Sequence, residues 1–170
     1  MNISEALLKE HSKTNSLKIA NYIGDDDERF SRLIKIFTSN DYRLVQRSAW
    51  VLSIIAEEHP YLVNPYLPLL IKQLHLPLHD AVKRNVLRLL QFIDIPEAFW
   101  GELTDLCFQI LTNGKEPIAI KVFAMTVLEK IVLHYPELKN ELIIIIEDQL
   151  PYSSAGFKSR GKKILKSLKK

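Results

Sequence analysis

The residues that could bind a metal ion or transfer protons are five histidines in a chain of 170 residues. His75 and His79 are four positions apart, but Pro77 lies between them, so they cannot share a regular helical face. His59 and His134 lie just before prolines at predicted helix ends, where an imidazole can cap backbone carbonyls. Because the sequence also has no His-Glu-x-x-His motif and no cysteine pair, we expect neither a metal site nor a cofactor.

Nucleophilic catalysis also lacks its sequence signals. Cys107 is the single cysteine and lies in the apolar run 106–108, which predicts a buried thiol rather than an exposed, reactive thiolate. The chain has no Gly-x-Ser-x-Gly motif. Gly156 and Gly161 lack the remaining residues of a phosphate-binding loop. We therefore predict that the protein is not an enzyme.

The densest charge lies in residues 157–170, which contain seven lysines and arginines and no acid. The net charge of the whole chain is +3, so subtracting seven leaves −4 for residues 1–156. On a helix, the basic segment would bury a stripe formed by Phe157, Ile164, Leu165 and Leu168. Two interpretations stay open: the cations contact nucleic acid or an acidic surface, or they cover the end of the fold and favour the helix C-terminus. The candidate contact residues are Lys158, Arg160, Lys162 and Lys163.

The elements that position these residues are predicted to be helices. Apolar residues recur at spacings of three and four, and prolines separate the segments. The run 142–146 has high β propensity, but its flanks are helical in character, so we assign it to a helix. We predict about nine helices and no strand, with helix starts capped by Ser4, Asn15, Asp41, Asn64 and either Ser153 or Ser154.

Three helical segments repeat at an interval of 37 or 38 residues, starting at Val45, Val82 and Ile120. The first copy reads Val-x-Arg-x-Ala-x-x-Leu, which resembles the first helix of a HEAT repeat. The second copy has Val86 in place of the alanine, and the third has Val122 in place of the arginine. The resemblance covers about 42–150 and implies an all-α fold, an α-α superhelix in which antiparallel helix pairs form a right-handed solenoid.

This organisation predicts a single domain over residues 1–170. Because one helix pair cannot bury its apolar face alone, neighbouring repeats must stack and the end segments must act as caps. The expected segments are N-terminal capping helices at 1–41, repeats at 42–76, 77–114 and 115–151, and a basic C-terminal capping helix at 152–170.

The resemblance also implies where a partner would bind, because the second helices of HEAT-like repeats line the concave face. In this chain those helices carry many acids and few bases. Such a groove would repel phosphates and could accept a basic or amphipathic peptide. The candidate partner-binding residues there are Lys72, Glu102, Asp105, Gln109 and Glu141.

The leading hypothesis is a non-enzymatic scaffold that binds a protein or peptide partner in the cytoplasm. A single cysteine excludes an internal disulfide and indicates a reducing compartment. No leader peptide or membrane-spanning run is evident. The alternative is a nucleic-acid-binding protein related to the HEAT-like alkylation-repair proteins, whose stacking aromatics invite comparison with Trp50 and Trp100. For both tryptophans, a partly buried packing role is the favoured interpretation. Self-association through an open solenoid end is a further hypothesis.

Overall fold

The computed structural model describes residues 1–77 and 79–170, and these residues form ten α-helices and no strand. The all-α class is therefore confirmed, with one helix more than the sequence count. The chain divides into two compact units, Met1–Asp94 and Ile95–Lys170. The boundary lies inside the segment expected to form the second repeat. The division into one domain with three repeats stays a prediction.

The first unit is arranged around one long central helix. It contains α1 (Ile3–Lys9), α2 (Lys13–Ile23), α3 (Asp27–Phe37), α4 (Tyr42–Glu58), α5 (Leu67–Gln73) and α6 (Asp80–Leu90). Helix α4 packs against α1, α2, α3 and α6. Small side chains make this close packing feasible, because Ser48, Ala49, Ser53 and Ala56 are fully buried along α4. The two serine hydroxyls donate to carbonyls of their own helix, so their burial leaves no polar group unpaired.

Side-chain caps define most helix starts in this unit. Asp41 accepts a 3.0 Å hydrogen bond from the Leu44 amide, which confirms the predicted cap of α4. The predicted caps of the first two helices are wrong: Asn2 and Ser12 occupy those positions instead. Ser4 lies inside α1, and Asn15 uses its side-chain amide to hold Ala6 and Glu10 carbonyls at 2.8 Å.

The predicted cap at Asn64 is also wrong. Residues Asn64–Tyr66 form a short 3-10 segment, and α5 begins only at Leu67, without a side-chain cap. Pro65 lies in the 3-10 segment and Pro68 lies in the first turn of α5, where its missing N–H costs no helical hydrogen bond.

The second unit has the same plan with fewer helices. It contains α7 (Trp100–Thr112), α8 (Ile118–Val132), α9 (Pro136–Gln149) and α10 (Ala155–Leu168). Helix α8 is central and packs on the other three. The isoleucine-rich run 142–146 is helical, as predicted, because only Leu142 and Ile146 turn into the core while Ile144 is 65% exposed.

The basic C-terminal helix is an integral part of the second unit. Ser154, the second of the two predicted caps, accepts a hydrogen bond from the Phe157 amide. The predicted apolar stripe is buried in full: Phe157, Ile164, Leu165 and Leu168. At Gly161 the helix comes so near α9 that an added Cβ would lie 3.0 Å from Ile146. This contact fixes α10 against the end of α9.

Candidate binding surfaces

Helices α7 and α9, the second helices of the predicted second and third repeats, each expose a row of polar side chains. On α7, Glu102, Asp105 and Gln109 are exposed and are spaced three and four residues apart, so they share one helix face. We call these three residues the α7 row. The structure therefore brings together three of the candidate partner-binding residues.

Helix α9 presents a second exposed stripe that combines acids with one apolar side chain. Glu137, Glu141, Ile144 and Asp148 are exposed at spacings of four, three and four. We call these four residues the α9 stripe. The sequence singled out Glu141 but missed Ile144, because an isoleucine inside an apolar run is ordinarily assigned to the core.

The two helices are joined at their C-terminal ends. Gln149 of α9 donates a 2.8 Å hydrogen bond from Nε2 to the carbonyl oxygen of Leu111, in the last turn of α7. Its Oε1 accepts from Lys121, whose side chain is largely buried on α8. This network satisfies a helix-end carbonyl and a buried ammonium group together. Lys72, the remaining candidate outside the basic helix, is exposed on α5 in the first unit.

The four candidate residues of the basic helix divide into two pairs. Lys162 and Lys163 are exposed, whereas Lys158 and Arg160 are half-buried. Arg160 donates from Nη1 to the Thr126 hydroxyl of α8 at 2.9 Å, so this cation already has a contact inside the unit. Further along the helix, Lys169 forms an ion pair with Glu147 of α9.

The arginine of the repeat motif is also engaged inside the fold. Arg47 donates from Nη1 to the carbonyl oxygens of Leu7 and Leu8, at 2.8 and 2.9 Å. These oxygens lie in the last turn of α1, where a helix has no donors of its own for them. The sequence predicted the helical position of Arg47 but gave no sign of this acceptor.

Both tryptophans make ring contacts within their own units. Trp100 stacks on His134 at a centroid distance of 4.4 Å, and its indole nitrogen donates to the Ile95 carbonyl at 2.8 Å. Trp50 lies edge-on to His11 at 6.0 Å. Packing therefore accounts for both side chains. The imidazole of His134 makes this ring contact, and its predicted role as a cap on carbonyls stays a prediction.

Burial raises the pKa of the Cys107 thiol to about 12, as expected for a thiol removed from water. Within residues 1–77 and 79–170, no three histidine, cysteine or acidic side chains are grouped closely enough to hold a metal ion. The same residues include no helix with the length and apolar character needed to cross a membrane.

Comparisons with known proteins identify the type of repeat. A family model described as a HEAT repeat domain matches residues 3–168. Among solved structures, the crystal structure of an engineered protein is similar with a TM-score of 0.59 and 16% sequence identity, covering 96% of this chain and 78% of that chain. At this identity the likeness concerns the fold alone. No curated protein matches the chain.

Proposed function

The chain belongs to the HEAT repeat domain family, and we propose that it is a non-enzymatic scaffold that binds a basic, amphipathic segment of a protein partner. The proposed contact surface consists of the α7 row and the α9 stripe. The observation that carries this proposal is the exposure of Ile144 among the carboxylates of the α9 stripe. Lys72 stays a prediction as a further contact.

The charges of the two helices support a basic partner. Helices α7 and α9 together contain six acids and one lysine, Lys139. Glu147 is paired with Lys169, and the acids of the α7 row and the α9 stripe lie on the exposed helix faces. Complementary charge speeds encounter and excludes acidic competitors, while affinity comes mainly from buried apolar anchors.

The geometry of the α9 stripe suits a helical segment. Glu137 and Asp148 are eleven residues apart, which corresponds to roughly 16 Å along a helix axis. A partner helix with leucines on one face and lysines at both edges would place an apolar side chain on Ile144. Its ammonium groups would then reach the flanking carboxylates.

A labelled peptide of this design tests the proposal directly. We expect fluorescence anisotropy to report saturable binding to the wild-type protein. The double variant Asp105→Lys/Glu141→Lys should bind roughly tenfold or more weakly. The matched control is Glu57→Lys/Glu58→Lys, which makes the same charge change at exposed positions of α4. Equal binding by both double variants would contradict the proposed surface.

The apolar part of the surface needs its own variant. Ile144→Asp adds a charge to an exposed position and should leave the fold intact. We expect it to weaken peptide binding because the apolar anchor is lost. A pull-down from native extract with wild-type protein and this variant would then identify partners that depend on Ile144.

Nucleic-acid binding through the basic helix is the second candidate function. It is favoured by the exposure of Lys162, Lys163 and Lys166 on α10, and weakened by the internal contact of Arg160. Binding to a DNA or RNA duplex should fall steeply as salt rises, and Lys162→Gln/Lys163→Gln/Lys166→Gln should abolish it. No mobility shift at low salt would exclude this candidate.

Cytoplasmic location is part of the same proposal. It is supported by Cys107, which is the only cysteine of the chain and is fully buried as a free thiol. Fractionation of the native cells, followed by immunodetection of the protein, would test it.

A further inference from the structure

A second surface, separate from the acidic helix faces, lies in the first unit. The beginning of α1, the last turn of α2 and one face of α3 line an open surface cavity of about 540 Å³. This volume is in the range of sites that take small organic ligands. Its walls are of mixed character: Ile3 and Ile36 provide apolar surface, and three cations lie along α3.

The three cations share one helix face. Arg29, Arg32 and Lys35 are spaced three residues apart, and all three line the cavity. Two acids at the start of the same helix, Asp26 and Glu28, pair with Arg29 and Arg32. Lys35 pairs with no acid within the part of the chain that the structure describes. The cavity wall therefore carries an excess of positive charge.

Arg29 is held in a fixed position. Its Nη1 donates to the Tyr22 carbonyl at 2.7 Å, its Nε lies 3.4 Å from the Asp26 carboxylate, and its guanidinium stacks 4.4 Å above the Tyr22 ring. Its Nη2 has no partner among residues 1–77 and 79–170. A guanidinium that is already immobilised loses little entropy when it binds an anion.

Arg32 can change partners at small cost. It pairs with Glu28, but the two side chains are 61% and 79% exposed, and exposed ion pairs of this kind contribute little to stability. An incoming anion can therefore recruit Arg32 without disrupting the fold. Together the three side chains offer one immobilised guanidinium group (Arg29), one guanidinium group that can change its partner (Arg32) and one ammonium group (Lys35).

We propose that this cavity binds a small organic phosphate monoester. Two guanidinium forks and an ammonium match the charge and the oxygen geometry of a phosphate dianion better than those of a single carboxylate. The apolar wall around Ile3 and Ile36 would contact the organic part of the ligand. This site is independent of the proposed peptide surface, since it uses other residues in the other unit.

Phenyl phosphate is a suitable probe, with inorganic phosphate and benzoate as comparisons. In a ¹⁵N-resolved NMR titration we expect saturable shifts for α3 and Tyr22, with phenyl phosphate binding more tightly than either comparison. Weaker binding of phenyl phosphate than of benzoate would overturn the assignment to phosphate. Equal binding of inorganic phosphate would overturn the role of the apolar wall.

A variant without the charges of Arg32 and Lys35 tests whether the cavity is the phosphate site. Arg32 and Lys35 are exposed, so Arg32→Gln/Lys35→Gln should fold normally, as thermal unfolding can verify. We expect its affinity for phenyl phosphate to fall roughly tenfold or more. The control Lys13→Gln/Arg43→Gln removes the same charges from exposed positions outside the cavity and should bind as the wild type does. Equal affinities of the two double variants would refute the site.

Discussion

Arg47 donates a hydrogen bond to the carbonyl oxygen of Leu7, a residue forty positions earlier in the chain. The same nitrogen also donates to the Leu8 carbonyl, so one guanidinium closes the end of α1. The α1 helix has only seven residues and cannot be stable alone. Arg47, the arginine of the first repeat copy, therefore attaches α1 to the long central helix α4.

Replacing Arg47 should destabilise the first unit. Arg47→Met keeps the aliphatic stem and removes the donors, which should lower the free energy of unfolding by about 1.5–3 kcal/mol. Urea denaturation followed by circular dichroism measures the change. Arg43→Met is the control, because Arg43 is exposed on the same helix and should cost less than about 0.5 kcal/mol. Similar losses in both variants would mean that the carbonyl contacts contribute nothing specific.

The sequence predicted the helices better than the contacts between them. Asp41 and Ser154 were recognisable as caps because the signal is local. At the first two helices the local signal was misread, since the observed caps are Asn2 and Ser12 rather than the predicted Ser4 and Asn15. Periodicity identifies which face of a helix is buried, but it does not identify the neighbour that covers the face.

The candidate surfaces also depend on contacts between helices that the sequence does not reveal. The resemblance to HEAT repeats identified the residues of the α7 row as candidates, whereas Ile144 was hidden in an apolar run until the orientation of α9 was known. The cations of the cavity are three residues apart in the sequence, yet their site depends on Tyr22 and the start of α1. Such sites are formed by tertiary packing and cannot be predicted from one segment.

Replacing either of the two buried threonines of the second unit by valine should change the free energy of unfolding, in opposite directions. Thr104 has a buried hydroxyl without a hydrogen-bond partner among the described residues, whereas Thr126 accepts from Arg160 and donates to the Val122 carbonyl. Thr104→Val should therefore raise the free energy of unfolding by about 1 kcal/mol. Thr126→Val should lower it by about 1–2 kcal/mol, because the guanidinium loses its acceptor. Thermal unfolding of the two variants distinguishes them; a loss in both would contradict the unpaired state of Thr104.

Cys107 should be unreactive in the native protein. With a pKa raised to about 12 by burial, its thiolate fraction at about pH 8 is roughly one in ten thousand. We expect no reaction with DTNB until the protein is unfolded, when one thiol per chain should react. Because the folded pKa lies above the ordinary value of 9.0, this group stabilises the fold below about pH 9, and that contribution is lost as the pH rises toward 12. The stability of Cys107→Ala should lack this pH-dependent contribution. Rapid reaction of the native protein with DTNB would contradict the burial of the thiol.

Gly161 should be the position of α10 that tolerates a larger side chain least. A Cβ there would lie 3.0 Å from Ile146 and 3.3 Å from Leu150, whereas a Cβ at Gly156 would meet only the Ser154 hydroxyl, at 4.0 Å. Gly161→Leu should lower the free energy of unfolding by about 1–3 kcal/mol through overpacking. Gly156→Leu makes the same change in the same helix and should be neutral or stabilising, since glycine is a poor helix former. Chemical denaturation of both variants gives the comparison. If the clash with α9 is the cause, Gly161→Leu should cost less in the Ile146→Ala background than in the wild type, as a double-mutant cycle would measure.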